Sequence, residues 1–368
     1  MREGWVRKSI SEICDKASSN IAQNKIADID GDYPVYGASG YVQNVDFYHR
    51  DTDYIGIVKD GSGVGRVNVY PAYSSLLGTM QYIIPKDGYL LGYVAYALKG
   101  LNLSSFASGA AIPHIYFKDY GKCKIDVPPL SEQQRIVSEL DLLSSIIEKK
   151  KAQLKEYDQL AQSIFYDMFG DPVTNEKGWE VKKVGELTTE MRYGTSRPAC
   201  EGGKYKYLRM GNINNEGYLN LNDLKKIDIP DNEVEKCIVK RGDVLFNRTN
   251  SLELIGKTCL FDLEEPMVIA GYLIRVRFKE TILPLYFTRL FNLSEIKKKL
   301  RSMAKGAVNQ ANINAKELAS ISIPLPPLSL QQSFASKIEA IERQKALIQQ
   351  SIAEVQMLFD SRMDDWFA

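Results

Sequence analysis

The sequence predicts an α+β protein in which two globular mixed α/β domains are separated by two long helices that form an antiparallel coiled coil in a pseudo-two-fold arrangement. The first observation is a repeat, because residues 129–134 (Pro-Leu-Ser-Glu-Gln-Gln) return at 327–332 (Pro-Leu-Ser-Leu-Gln-Gln), 198 residues later (327 − 129). The second is an echo at the start of each half, where residues 4–13 resemble 178–187. The third is a heptad pattern behind each Pro-Leu-Ser motif. A duplicated unit of domain and helix predicts a pseudo-symmetric molecule.

These repeats divide the chain into four segments. A first globular segment is expected over residues 1–128 and a first long helix over 129–170, followed by a second globular segment over 171–326 and a second helix over 327–368. At 368 residues the chain is long enough for each globular segment to bury a core of its own. The hydrophobic fraction of 44% and the charged fraction of 25% are those of an ordinary soluble protein.

The first globular segment alternates strand patterns with turns. Runs of β-branched and aromatic residues predict strands at 54–58, 67–70 and 81–85, and a short helix is expected at 90–98. The Gly-Ser-Gly-Val-Gly run at 61–65 matches neither the P-loop nor the G-x-G-x-x-G spacing. A mobile turn is therefore favoured there over a phosphate cradle.

The second globular segment has the same character. A turn leads into a predicted strand at 242–246, and the alternation of apolar and charged residues at 272–278 predicts another strand. Helices are expected at 284–293 and 293–304. Because strands and helices mix without regular βαβ spacing, an α+β domain is favoured over a doubly wound sheet.

Both long helices carry a seam of apolar residues in alternating steps of four and three, typical of a coiled coil. The seam residues of the first helix are Ile136, Leu140, Leu143, Ile147, Leu154, Tyr157, Ala161, Ile164 and Met168. Those of the second are Phe334, Ile338, Ile341, Ile348, Ile352, Val355, Phe359 and Trp366. The polar exceptions are Lys150, Lys345 and Arg362.

The ends of these helices are marked as well. Ser131 and Ser329, each with a glutamine three residues later, predict a capping box at each start, and Gly170 is expected to end the first helix. Each helix spans about 57 Å at 1.5 Å per residue, too long to be buried against its own domain. Antiparallel pairing of the two helices fits, because a globular segment must bridge back from one to the other. Pairing between two chains is the competing interpretation.

Cysteine and histidine usage argues against disulfide and zinc sites. The cysteines are scattered, odd in number and without a C-x-x-C pair: Cys14, Cys123, Cys200, Cys237 and Cys259. They fit free thiols in a reducing cytoplasm. His49 and His114 are the two histidines of the sequence, which also disfavours a catalytic triad. Without a leader or a stretch of roughly 20 apolar residues, we expect a cytoplasmic protein.

Charge is unevenly distributed although the net charge is only +1. Residues 178–326 carry 24 basic and 18 acidic side chains, whereas residues 1–128 carry 13 of each and both helices are acidic. A local excess of positive charge is expected where phosphates bind. A solvated basic surface is the alternative interpretation.

No complete catalytic site can be assembled from the sequence. The Pro-Pro-aromatic tetrapeptide with which DNA methyltransferases hold a flipped base is absent, and residues 126–130 come nearest but lack the aromatic residue. The carboxylates at 228–235 lie beside Pro230 and predict a solvated turn rather than a metal-dependent nuclease site. We therefore expect no catalytic residue, no metal and no cofactor, and place any enzymatic activity on a partner.

The second globular segment has side chains suited to duplex DNA. Residues 205–214 interleave tyrosines, cations and amides, and residues 247–250 place an arginine between amides. Arginine reads guanine and asparagine reads adenine through paired hydrogen bonds, whereas threonine and lysine contact bases or phosphates. Buried tyrosines and capping asparagines are the alternative interpretation.

With these motifs together, the chain resembles the specificity subunit of type I restriction-modification systems over essentially its whole length. The residues that carry the resemblance are 125–134 and their counterpart 321–332, 33–37 in the first globular segment, and 242–250 and 305–314 in the second. The departure within the repeated motif is Leu330, which stands where the first copy has Glu132.

The resemblance implies two target-recognition domains, 1–128 and 171–326, each reading half of a bipartite and asymmetric DNA site. The two conserved spacer helices would set the distance between the halves. The implied partners are double-stranded DNA, two methyltransferase (M) subunits and restriction-translocase (R) subunits, and the chain itself would be non-catalytic. A coiled-coil adaptor without a DNA role and a self-contained methyltransferase or nuclease are the alternatives.

Candidate contact residues follow from this interpretation. The candidate DNA contacts are Lys59, Ser62, Arg66, Arg192, Tyr193, Thr195, Arg197, Lys206, Arg209, Asn212, Arg248, Thr249 and Asn250. The candidate contacts of the M subunits lie in the two helix-initial motifs: Pro129, Leu130, Gln133, Gln134, Pro327, Leu328, Gln331 and Gln332.

Overall fold

The computed structural model describes residues 3–109, 112–304 and 311–367. The chain divides into two compact units, one of Met1–Ala152 with Ile348–Ala368 and one of Gln153–Leu347. Each unit therefore contains one globular segment, the beginning of one long helix and the end of the other. Within the described ranges, no helix is long and apolar enough to cross a membrane.

The globular segment of the first unit is built on two small sheets and a separate pair of strands. Its strands are β1 Val6–Ser9, β2 Cys14–Ser18, β3 Tyr33–Gly37, β4 Gly40–Val45, β5 Tyr54–Val58, β6 Val67–Tyr70, β7 Ser75–Leu76, β8 Met80–Pro85 and β9 Lys124–Val127. Its helices are α1 Ile10–Ile13, α2 Gln23–Ile26, α3 Leu91–Gly100 and α4 Phe117–Tyr120. The strands expected at 54–58, 67–70 and 81–85 and the helix expected at 90–98 are confirmed.

After the long helix α5, Leu130–Phe169, comes the globular segment of the second unit. Its strands are β10 Glu180–Lys183, β11 Thr188–Tyr193, β12 Tyr205–Leu208, β13 Lys225–Ile227, β14 Ile238–Val239, β15 Val244–Asn247, β16 Thr249–Asn250, β17 Thr258–Leu260, β18 Met267–Ile269, β19 Leu273–Phe278, β20 Ala311–Asn312 and β21 Ser322–Leu325. Its helices are α6 Val184–Leu187, α7 Asp231–Cys237, α8 Pro284–Phe291, α9 Ser294–Met303 and α10 Ala315–Ser320, and the last helix of the chain is α11, Leu328–Phe367.

The predicted elements of this segment are found in β15, β19, α8 and α9. The solvated turn expected at 228–235 is wrong, because most of these carboxylates belong to α7. Pro230 precedes α7 as its N-cap, and Asp231 and Glu233 lie in the first turn, where acidic side chains favour the positive end of the helix.

The two globular segments repeat one topology. In the first, the order β2-β8-β5-β6 forms an antiparallel sheet, and β4-β3-β7 forms a second sheet in which β3 and β7 are parallel. In the second, β11-β19-β15-β17 and β13-β12-β18 repeat these orders, with β12 and β18 as the parallel pair and β14 as an additional edge strand beside β18. A strand at the start of each segment pairs with the strand just before the long helix, β1 with β9 and β10 with β21. The duplication inferred from two short motifs therefore extends to the sheets.

Both long helices have 40 residues, but their predicted caps are wrong. Each helix begins directly after the proline of its motif, so Ser131 and Ser329 lie inside the first turn instead of preceding it. The carbonyl of Pro129 accepts from the N–H groups of Glu132 and Gln133, the third and fourth residues of the first helix, at 2.9 and 3.0 Å. A serine whose backbone is already helical cannot occupy the extended N-cap position.

Within the first unit the two helix segments run antiparallel. Arg362 near the end of α11 pairs with Glu139 near the start of α5 at 2.8 Å. Further along, Trp366 lies over the guanidinium group of Arg135, 4.9 Å away. Residue numbers therefore rise along one helix as they fall along the other, and the polar seam position Arg362 is matched by an acidic partner.

Within the second unit the helix segments are antiparallel as well. Lys345 of α11 donates to Asp158 of α5 at 2.6 Å. Towards the start of α11, Phe334 packs on Phe165 and Phe169 with ring centroids 5.6 and 5.1 Å apart. Inside each unit the heptad seams thus pair within this chain, as the intramolecular interpretation predicts.

One glutamine of each Pro-Leu-Ser motif holds a helix of its own unit. In the first unit, the Gln133 carbonyl oxygen accepts from the Leu90 N–H, just before α3, at 2.9 Å. In the second, the Gln331 carbonyl oxygen accepts from the Leu283 N–H, just before α8, at 2.8 Å. The amide nitrogen of each glutamine donates to the carbonyl of a proline upstream of its own helix. The motif therefore joins the long helix to the domain before it.

A tyrosine completes the same joint in both units. Tyr93 of α3 donates to the Asp126 carbonyl at 2.6 Å, and its ring centroid lies 5.3 Å from that of Phe367. Tyr286 of α8 donates to a carbonyl of β21 at 2.9 Å and lies 4.9 Å from Phe169. In each unit the domain helix is thus packed between the start of one long helix and the end of the other.

Candidate nucleic-acid interface

A cavity of about 1250 Å³ opens in the second unit where several strands end. Arg197 follows β11, Arg209 follows β12, Arg248 links β15 to β16, Lys257 precedes β17 and Tyr272 links β18 to β19. All five line the cavity. Side chains that are distant in sequence meet there because the ends of neighbouring strands lie side by side.

Arg248 is held by backbone and ring contacts. Its guanidinium group lies 4.8 Å from the ring centroid of Tyr193, a cation–π distance, and Nη1 donates to the Gly271 carbonyl at 3.3 Å. Its Nε is buried and has no hydrogen-bond partner among the described residues. No carboxylate within the described ranges forms an ion pair with Arg248. Its charge is therefore available to an anionic or hydrogen-bond-accepting ligand.

Arg197 is exposed and Arg209 is half-buried, and both are already paired. Arg197 contacts Glu233 of α7 through two hydrogen bonds, at 2.8 and 3.1 Å, and these lower the pKa of that carboxyl group. Arg209 donates to Asp223 at 2.8 Å. Exposed ion pairs contribute little net free energy, so phosphates can replace these carboxylates at low cost.

Lys257 is a buried cation that the sequence interpretation missed. Its side chain is 7% exposed, and its Nζ donates to the carbonyls of Met210 and Ile213 at 3.3 and 2.5 Å. Burial lowers the pKa of Lys257. Lys257 thereby fastens the short turn at Met210–Asn212, which follows Arg209.

Two candidate DNA contacts, Asn212 and Thr195, form hydrogen bonds with the neighbouring backbone. Asn212 is 4% exposed, accepts from the Arg209 N–H at 2.9 Å and donates to the Asn220 carbonyl at 2.9 Å. Thr195 is buried, and its hydroxyl accepts from the Arg197 N–H at 3.2 Å. With their polar atoms used internally, both residues shape the cavity wall, and we withdraw them as base contacts.

Three further candidates of the second unit, Thr249, Tyr193 and Asn250, differ in their contacts. Thr249 lines the cavity and its hydroxyl lies 3.0 Å from the Asn312 side-chain oxygen. The Tyr193 ring lies against the Arg248 guanidinium group, and the Tyr193 hydroxyl accepts from the Ala315 N–H at 2.8 Å. Asn250 is described through its backbone, which pairs with Ala311.

Arg192 and Lys206 lie outside the cavity lining. Arg192 is paired with Glu190 and Lys206 with Glu265, both at 2.5 Å. The residues at 305–310, part of the segment that resembles the specificity subunits, lie outside the described ranges.

The candidates of the first unit surround one loop between β5 and β6. Lys59 directly follows β5 and lies 3.7 Å from Asp60, while Arg66 donates to the Ala38 carbonyl at 3.3 Å. Ser62 is exposed between them. Gly61 and Gly65 in this loop have φ of 82° and 86°, a conformation that favours glycine.

The helix-initial motifs divide into buried and exposed members. Gln133 and Gln331 are 1% and 0% exposed, so neither offers an atom to another protein, and we withdraw both as docking residues. The exposed members are Pro129, Leu130, Gln134, Pro327, Leu328 and Gln332. Leu130 is the more exposed of the two leucines, at 53%.

The titratable side chains do not gather into a metal site. Among the described residues, no group of three or more His, Cys, Asp or Glu side chains is placed to hold a metal ion. His49 packs on Phe47 and Tyr82, and His114 contacts Asp60. Each histidine is thus accounted for by contacts within its own domain.

Solved structures share this architecture. The chain is similar to the S subunit of a type I restriction-modification system from M. genitalium, with a TM-score of 0.59, 15% identity and coverage of 99% of this chain and 96% of the other. It is also similar to a chain from a structural study of complex assembly and conformational transition of the type I R-M system, with a TM-score of 0.58 and 17% identity over 100% and 98% of the two chains. These likenesses establish the fold.

Sequence relatives point to the same proteins. The EcoKI specificity subunit of Escherichia coli K12 is 25% identical over 271 residues, 69% of this chain and 58% of the relative. The MjaVIII specificity subunit of Methanocaldococcus jannaschii is 24% identical over 320 residues, 82% of this chain and 75% of the relative. The match thus spans little more than half of the E. coli relative.

The profile of one protein family covers both halves of the sequence. The family described as "Type I restriction modification DNA specificity domain" matches residues 2–156 and 176–357, nearly the whole chain. Its two matches correspond to the two repeats of strands and long helix described above. The chain therefore belongs to the family of type I restriction-modification DNA specificity domains.

Proposed function

We propose that this chain recognises a bipartite, asymmetric DNA sequence and directs methyltransferase and restriction subunits to it. Each globular segment would read one half of the site. The two halves would differ because the loops that end the strands differ in sequence between the segments. The four-part division into target-recognition domains 1–128 and 171–326 and spacer helices 129–170 and 327–368 belongs to this proposal.

The observation that carries the proposal is the cavity of the second unit. Four cations line it, and Arg248 and Lys257 have no carboxylate partner among the described residues. Arginine aligned by a ring and a backbone carbonyl is preorganised for the major-groove edge of guanine or for phosphate. Neighbouring tyrosine and threonine side chains add hydrogen-bonding groups of the kind that contact DNA.

We infer that the chemistry resides on partners. The proposed partners are two M subunits and the R subunits, acting with this chain in the cytoplasm. The exposed members of the helix-initial motifs, such as Leu130 and Leu328, are the proposed contacts of the M subunits. Purified chain incubated with S-adenosylmethionine and duplex DNA is expected to transfer no methyl groups, and methylation by the chain alone would overturn this part.

The central test is selection of duplex DNA from a randomised library by the full chain, followed by sequencing of the bound fraction. We expect two enriched blocks of bases separated by a spacer of constant length. A coiled-coil adaptor would enrich nothing even at low salt. In cells, methylome sequencing with and without this chain should show one methylated motif that is lost with it and that matches the selected sequence.

A further inference from the structure

The cavity of the second unit has a counterpart at the same place in the fold of the first. After β15, the Arg248 N–H donates to the Tyr272 carbonyl at 3.0 Å. After β5, the Lys59 N–H donates to the Thr79 carbonyl, also at 3.0 Å. Because β5 and β15 hold the same position in sheets of the same order, Lys59 corresponds to Arg248 and Thr79 to Tyr272.

A second backbone contact repeats on the opposite wall. In the first unit, a glycine N–H beyond β7 donates to the Ile21 carbonyl at 2.8 Å. In the second, a glycine N–H beyond β18 donates to the Thr195 carbonyl at 2.7 Å. Gln23 lies two residues beyond Ile21 and Arg197 two residues beyond Thr195, so these two side chains correspond.

A cation fastens the equivalent loop in both units. Arg66 donates to the Ala38 carbonyl at 3.3 Å, and Lys257 donates to the Met210 carbonyl at the same distance. Ala38 and Met210 each lie two residues beyond the last residue that pairs with the parallel neighbouring strand, Tyr36 in β3 and Leu208 in β12. Three pairs of equivalent contacts therefore place the two clefts at the same position of the repeated fold.

The two clefts differ in charge. The cavity of the first unit, about 720 Å³, is lined by no charged side chain among the described residues. Its exposed polar side chains are Asn20, Gln23, Ser39, Tyr41 and Thr79. In the second unit, Arg197 occupies the position of Gln23. Lys59 and Arg66, the counterparts of Arg248 and Lys257, are not among the lining residues, so the walls of this cavity carry no charge although two cations lie next to it.

We propose that the neutral cleft reads the first half of the DNA site, with Gln23 and Thr79 as specificity-determining side chains that contact bases. This inference rests on the proposed function. A glutamine amide can pair with adenine through two hydrogen bonds, and threonine contacts bases through its hydroxyl or methyl group. Neutral side chains displace no condensed cations, so Gln23 and Thr79 themselves contribute selectivity but no salt dependence.

The first experiment compares base preferences of the full chain carrying Gln23→Ala and Thr79→Ala with those of the unchanged chain, by selection from randomised duplexes. We expect preference at one or two positions of a single block to fall about tenfold, a typical loss for a paired base contact. Preferences in the other block should stay as they were. That retained block also shows that the variant is folded and binds DNA.

Thr52→Ala is the matched control, because Thr52 is exposed and precedes β5, at the end of the strand opposite to the cleft. It should leave both blocks unchanged. Two unchanged blocks in the Gln23/Thr79 variant, beside a clear bipartite motif for the unchanged chain, would overturn the inference while the proposed function stands. Failure of the unchanged chain to select any motif would overturn both.

A charge graft tests the electrostatic half of the proposal. Gln23→Arg gives the first cleft the cation that Arg197 supplies in the second. We expect the slope of log affinity against log salt to become steeper by about 0.9, the value for one added phosphate contact. Gln350→Arg, at an exposed position of α11 in the same unit, should leave the slope unchanged, and equal slopes for the Gln23→Arg and unchanged chains would contradict the assigned position.

Discussion

At the scale of single residues, the arginines of the second cavity differ in what holds them. Arg197 and Arg209 pair with the carboxylates of Glu233 and Asp223, whereas Arg248 lies over the Tyr193 ring without a described carboxylate partner. An arginine held by a ring and a carbonyl keeps one orientation and loses little freedom when it binds. Arg248 is therefore the residue we expect to discriminate between bases.

Replacing Arg248 with alanine should weaken binding to the selected sequence by about 1–3 kcal/mol and relax one position of the site. Fluorescence anisotropy with the selected duplex and with duplexes altered at single positions measures both effects. Arg241→Ala is the control, because Arg241 is exposed, is paired with Glu264 and lies outside the cavity. Uniform weakening on every duplex would instead make Arg248 a phosphate contact.

At the scale of elements, the two adjacent glutamines of each Pro-Leu-Ser motif have different roles. Gln133 and Gln331 each satisfy the N–H at the start of a domain helix, and each is buried. The adjacent Gln134 and Gln332 point to solvent. The repeated pair of glutamines thus joins one residue that stabilises the unit to one that is exposed and can contact a partner.

Gln133→Ala should lower the free energy of unfolding of the first unit by about 1–3 kcal/mol, because the Leu90 N–H loses its acceptor in a buried place. Gln134→Ala should change it by no more than about 0.5 kcal/mol. Hydrogen exchange of α3 in the full chain separates this unit from the other. Equal protection of α3 in both variants would show that the glutamine contact contributes no stability.

Lys345 is the polar member of the second seam, and it is buried in a polar network. It donates to Asp158 at 2.6 Å and to the Tyr218 hydroxyl at 3.0 Å, and that hydroxyl donates to Glu342 at 2.7 Å. A polar residue at a seam position restricts the register of paired helices, because other registers leave it unpartnered.

Lys345→Ala should cost about 1–3 kcal/mol, since it leaves Asp158 and Tyr218 without this donor. Lys337→Ala, at an exposed position of the same helix, serves as the comparison. The midpoint of urea unfolding, followed by the helical circular dichroism signal, measures the difference. Indistinguishable midpoints would assign the network to register alone.

At the scale of the whole molecule, the distribution of charge matters more than its sum. The net charge is +1, yet residues 178–326 carry 24 basic and 18 acidic side chains, and four of the cations line one cavity. Binding of a phosphate backbone at such a place releases condensed cations. Affinity should therefore depend strongly on salt although the protein as a whole is nearly neutral.

For the full chain we expect log affinity for the selected duplex to fall linearly with log salt, with a slope of about −3 or steeper if the cavity cations neutralise three or more phosphates. Titrations between about 50 and 200 mM salt test this. A flat line would contradict the electrostatic role assigned to the cavity. A polyanion without bases, such as heparin, serves as the comparison for charge without sequence.

The sequence by itself determined the two repeats, the two long helices, the mixed α and β character of the domains and the family. These follow from local signals, since a heptad pattern, a proline before a helix and a repeated motif are carried by neighbouring residues. The helix at 231–237 and the helix starts were misjudged because a single proline is compatible with either a turn or a first helical turn.

Only the tertiary structure decided which side chains meet. Lys257 gave no signal in the sequence, and its role arises because β17 places it against the turn after β12. Asn212 and Gln133 have the right chemistry for binding, but the fold buries them and uses their polar atoms. Gln23 and Thr79 are candidates because the fold of the first unit places them at the positions that Arg197 and Tyr272 occupy in the second. Contacts between residues far apart in sequence depend on strand order and register, and no local pattern of residues encodes these.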